Sequence, residues 1–207
     1  MTRIVFEPDE EQPPARLQEA LHRKALLKDA IARLGDVVAQ SDANFRSDAE
    51  WYVAVLLDGL LRGALVVEFR EWTGHCEDLL RDQLSRQGRD PEEWSERRRQ
   101  AEGAELVELV RQVLHEELDA RLPEEVWKGL KELAAVAETI ADSTAAARRR
   151  LQEAYPGYFT TMDPFGDGDQ GMRLTLKQLH LERAFDAVVT FWTPGRGLPY
   201  RLCSSVA

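Results

Sequence analysis

The stretch SDAEWYVAVLLDGLLRGALVVEF, Ser47 to Phe69, decides the fold class. Ser47 followed by Glu50 three residues on is the capping-box pattern, in which two side chains satisfy free backbone N–H groups at a helix start. From Trp51 to Phe69 apolar side chains then cover most of the helix circumference, the mark of a helix central to a bundle. Gly59, Gly63 and Gly74 weaken this helix by roughly 1 kcal/mol each relative to alanine, or let a neighbouring helix come close. Past Phe69 the pattern becomes one-sided through Trp72, Cys76, Leu79 or Leu80, and Leu84. The helix is expected to stop near Gly88.

Helical grammar recurs on both sides of this segment. Leu17, Leu21, Leu27, Ile31, Leu34 and Val38 mark one apolar face of a helix from about 14 to 39, opened by Pro13 and Pro14. Asp90-Pro91-Glu92-Glu93 places an N-cap acid, a proline at the first helical position and acids in the first turn. It predicts a helix of about 30 residues. Pro123-Glu124-Glu125 repeats the signal and opens a helix running to about Ala154. A last helix is expected from about Leu174 to Trp192. The fold class is therefore all-α: a single-domain bundle of five to six helices across residues 13–192. It is flanked by an N-terminal arm, 1–12, and an irregular tail, 193–207.

The chain has 207 residues, of which 43% are hydrophobic and 31% charged. That composition lies in the globular range and excludes whole-chain disorder. The formal net charge is −10. Nucleic-acid affinity rests on neutralising phosphates, and the chain as a whole lacks that basic footprint. The two cysteines, Cys76 and Cys203, form no CxxC pair and suggest no disulfide framework. The longest apolar runs are far short of the roughly 20 residues that span a bilayer. With no apolar leader before Pro14, a cytoplasmic location is expected.

Three groups of residues bear on chemistry. Glu68, Glu71, His75, Asp78 and Asp82 share a helix face, and His115 stands on another helix near Glu108 and Asp119. Paired helices of this kind hold di-metal centres when each of two carries Glu-x-x-His. Here Trp72 and Gln112 occupy the glutamate positions, so the stripe reads as a solvated face, and no metal or cofactor is expected. In the loop 155–172, Asp163, Asp167 and Asp169 fit no calcium-loop register. Its Tyr155, Tyr158, Phe159 and Phe165, with Trp192, are candidate anchors for a partner. The arginine trios 97–99 and 148–150 each spread around a helix and read as solubilising or capping residues.

Two arginine–histidine pairs form the third group: Arg70-Glu-Trp-Thr-Gly-His75 and Arg173-Leu-Thr-Leu-Lys-Gln-Leu-His180. Arg173 and His180, seven apart, would share a helix face, whereas Arg70 and His75 diverge unless Gly74 breaks the helix. This spacing resembles the Arg-x4–6-His signature of HEPN-like helical domains, and Leu61 to Trp72 is similar to a central helix of that superfamily. The resemblance implies a homodimer with a composite RNA-cleaving cleft. The histidine would serve as acid or base and the arginine would hold phosphate.

No nucleotide-binding glycine loop, zinc-protease motif or serine-hydrolase elbow is present. The leading expectation is therefore a helical protein with no catalysis of its own. It would bind another protein chain or itself, as an accessory subunit of a larger bacterial cytoplasmic assembly. The alternative is a HEPN-like metal-independent ribonuclease or an inactive relative, acting through Arg173 and His180 or through Arg70 and His75.

Overall fold

The computed structural model describes residues 14–161, 172–198 and 202. These residues form an all-α fold of seven α-helices: α1 (Ala15–Gln40), α2 (Arg46–Arg86), α3 (Pro91–Gln100), α4 (Gly103–Leu118), α5 (Glu124–Asp142), α6 (Ala145–Ala154) and α7 (Gln178–Trp192). A single 3-10 turn, Pro156–Tyr158, leads into β1 (Phe159–Thr161), which pairs antiparallel with β2 (Met172–Leu174). The N-terminal arm, Phe165, the aspartates of the 163–169 loop and Cys203 lie outside the described residues.

Two expected helices are each divided, which raises the count above six. The 30-residue helix breaks at Ala101–Glu102 and resumes at Gly103, whose φ of +51° is a left-handed turn that glycine adopts readily. The next helix breaks where Ser143 turns left-handed. The Thr144 hydroxyl then accepts the Ala147 N–H at 3.2 Å and starts α6. The Asp90 start is as read: its carboxylate accepts the Glu92 N–H at 2.9 Å, with Pro91 opening the helix. At the start of α2 the reading needs correction. Phe45 donates to the Asp42 carbonyl at 2.9 Å, and that turn carries the chain into the helix at Arg46. Ser47 is already helical and caps nothing.

The core gathers around α5, which packs against α2, α4, α6 and α7. Val126, Trp127, Leu130, Leu133, Ala134 and Ala137 are buried on it. Trp127 and Trp72 meet Phe191 of α7 edge-on, at 5.9 and 5.4 Å between ring centroids. The second half of α2 supplies Leu61, Leu65, Trp72, Cys76, Leu79 and Leu80 to the same core.

The first half of α2 touches this core only through Leu57 and Leu60. From residue 28 to residue 60 no side chain is fully buried, neither on the distal half of α1 nor on the first turns of α2. Ile31, Leu57 and Leu60 are half-buried and pack against the edge of the core. Beyond these residues, over roughly 15 Å, the hairpin runs out from the bundle. The Trp51–Phe69 segment was expected to be central, and only its second half is.

Candidate functional site

Neither arginine–histidine pair is brought together. α2 runs unbroken through Gly74, so Arg70 and His75 leave it in different directions. Arg70 lines a groove of about 310 Å³ with Val66, Phe69 and Thr73, facing Ala101 and Leu106. His75 faces α1. The helix carrying His180 begins at Gln178, not near Leu174, because residues 172–174 pair as a strand with 159–161. Arg173 consequently sits on β2 opposite Thr160, exposed, and shares no helix face with His180.

His180 itself has a structural position. Its Nδ1 accepts the Lys177 backbone N–H at 3.2 Å, at the start of α7. Its ring lies 4.0 Å from that of Tyr158. Burial holds its imidazole below the ordinary range, with Glu132 opposing.

The polar groups that do converge lie where α1, α2 and α7 meet. Arg16 donates to the His75 carbonyl at 2.6 Å and lies 5.2 Å from the Trp192 ring centroid. His75 Nε2 stands 3.3 Å from Glu19, and its buried Nδ1 meets no partner. Burial, then the charge of Arg16, lowers the His75 pKa, while Glu19 raises it. Two helical turns away Arg23 grips Glu68, through Nε at 2.8 Å and a second nitrogen at 3.3 Å. Burial lifts the Glu68 carboxyl above the ordinary range even with this partner. Cys76, beside them, is sealed, and burial raises its thiol pKa well above the usual value. A thiol so placed is a packing residue and not a nucleophile.

His115 lies elsewhere, exposed on α4, with Glu108 and Arg111 on a polar groove of about 460 Å³. Among the described residues no three His, Cys, Asp or Glu side chains converge as metal ligands. Of the acidic stripe of α2, Glu68 pairs with Arg23 and Asp82 with Arg86, and Glu71 stands 4.0 Å from His75; Glu77, off the stripe, pairs with Arg98.

The aromatic anchors read from the sequence also take other positions. Trp192 and Tyr158 are core residues, 2% and 5% exposed, and present no surface to a partner. Tyr155 and Phe159 are half-buried against the core. Among the described residues the exposed aromatics are Phe45, Trp51 and Tyr52, at 65%, 62% and 62%, with Val55, Leu56 and Val67 about half exposed along α2. The signal for them was in the sequence: an apolar run on all sides of a helix. It was read as the centre of the bundle, and the structure leaves these side chains exposed.

No family model, curated protein or solved structure matches the chain.

Proposed function

We propose that this chain is a protein-binding helical subunit without catalysis of its own, and that it binds through the projecting α1–α2 hairpin. One observation carries this reading. Trp51, Tyr52, Val55 and Leu56 have the composition of a core helix and the exposure of a surface. Contiguous exposed apolar area of this kind, rich in Trp and Tyr, is characteristic of interaction sites.

The charge around the hairpin favours a protein over the other apolar-seeking surfaces. Between residues 33 and 58 stand five acids, Asp36, Asp42, Asp48, Glu50 and Asp58, against Arg33 and Arg46. An anionic bilayer surface or a phosphate backbone is repelled by such a rim. No helix among the described residues is long and apolar enough to cross a membrane.

The test is the native mass of the purified protein, by light scattering, for the natural chain and for Trp51→Glu/Tyr52→Glu. The natural chain runs above its monomer mass, alone or with a second chain. The variant runs as a folded monomer. A natural chain that is monomeric and unaccompanied overturns the reading.

A further inference from the structure

We infer that the occupant of the exposed α2 face is a second copy of this chain, packed antiparallel about a two-fold axis through Gly59. The inference rests on the protein-binding reading above and specifies its partner.

At 100° per residue, Asp48, Tyr52, Val55, Gly59, Gly63, Val66 and Arg70 fall within an arc of about 80°. Trp51, Leu56 and Val67 flank that arc. The face is self-complementary about its centre. An antiparallel copy centred on Gly59 sets Asp48 opposite Arg70 of the second copy, and Arg70 opposite its Asp48. Tyr52 meets the second copy's Val66 and Val55 meets its Gly63, while Trp51 on one flank and Leu56 and Val67 on the other border the seam. Tyr52 and Val55 are thereby covered, and Trp51, Leu56 and Val67 lie at the edges of the contact.

Three further observations agree with this register. Asp48 and Arg70 are both exposed, and neither forms an ion pair among the described residues. A two-fold pair supplies each with its opposite charge, the complementarity that fixes register at an interface. A Cβ built on Gly59 or Gly63 would meet nothing within 4 Å, so the middle of the face is open to a close helix approach. The groove of about 310 Å³ beside Val66, Phe69 and Arg70 lies where the second copy's Tyr52 would enter. The flanking α3–α4 segment gives it a wall, as a pocket for an aromatic anchor needs.

The area suffices. Half-exposed or more, the five apolar side chains leave roughly 500 Å² uncovered per copy, so the pair buries roughly 1,000 Å² before its polar rim is added. That reaches the lower bound for a specific interface. A shallow crossing of about 20° keeps the two helices in contact from residue 48 to residue 70.

The experiment combines a cross-link with a charge exchange. Gly59→Cys, made in a Cys203→Ser background, forms an intermolecular disulfide under mild oxidation, whereas Ser85→Cys, exposed further along α2, does not. Asp48→Arg and Arg70→Asp each weaken the dimer on the order of tenfold by setting like charges opposite, and the double variant recovers the natural affinity. A dimer that yields no Gly59→Cys cross-link and ignores both charge reversals overturns the register. The protein-binding reading survives that result if Trp51→Glu/Tyr52→Glu still dissociates the dimer. A monomer at all concentrations overturns the inference outright. The broader reading then stands only if a different chain co-purifies with the natural protein and is lost with Trp51→Glu/Tyr52→Glu.

Discussion

Arg23 of α1 and Glu68 of α2 form a two-point ion pair at 2.8 and 3.3 Å, with the carboxylate only 1% exposed and the guanidinium reaching solvent at 22%. It lies on the bundle side of the α1–α2 hairpin and pins α1 where its core contacts are ending, since Leu27 is the last buried residue of that helix.

A buried carboxylate without its partner is costly. Arg23→Met is expected to lower the unfolding free energy by about 3 kcal/mol, because Glu68 is then left unpaired in the core. Glu68→Gln costs less, since burial already disfavours the charged form. Arg23→Met/Glu68→Leu recovers most of the loss, the apolar pair needing no compensation. Urea unfolding of the three variants checks the order.

Acid sensitivity follows from two histidines. Burial lowers the pKa of both His75 and His180 below the 6.5 of a free imidazole. Below that pH the unfolded chain takes up protons that the folded chain still refuses. Their contribution is present above pH 6.5 and is lost as pH falls towards their folded values. Glu68, whose pKa is raised, has the opposite slope, its contribution being present below 4.5 and lost as pH rises through its folded value. Melting temperature is therefore expected to fall as pH drops from about 7.5 to about 5.5. His75→Asn/His180→Asn flattens that fall. An unchanged slope in the double variant contradicts the assignment.

Helix propensity and packing make opposite forecasts at Gly129. Alanine is the better helix former by roughly 1 kcal/mol. A Cβ on Gly129 would stand 2.6 Å from that of Ala187, where α5 crosses α7. Packing dominates inside a dense core, so Gly129→Ala is expected to destabilise by about 1–3 kcal/mol in thermal or urea unfolding.

How far the sequence could be read depended on which interaction left a mark in it. Apolar spacing and the Asp90-Pro91 and Pro123 signals located the helices because those residues act within one turn. The breaks at Gly103 and Ser143 were not legible, since the apolar period continues across both. Thr144 was the one local cue, a capping hydroxyl just past the bend. The three-residue strands escaped notice because each is shorter than a recognisable alternation. Arg173 was placed on the wrong element for that reason, and His180 lost its expected neighbour. Cys76 was legible as a small buried residue. Trp192 read as a terminal anchor only because its partners, Phe191 and Arg16, come from the helix itself and from the far end of the chain. For Trp51 and Tyr52 the apolar composition was legible, but the expected central position was not borne out, since both side chains are exposed.

The most direct test of whether a second chain covers them is hydrogen exchange of the backbone amides from Arg46 to Leu61, followed in the natural protein across a hundredfold dilution. With its apolar face covered by a second chain, this segment exchanges slowly in concentrated solution and faster on dilution, while the amides of α5 are unaffected. Exchange at one rate throughout the dilution, equal to that of the Trp51→Glu/Tyr52→Glu variant, would contradict the account.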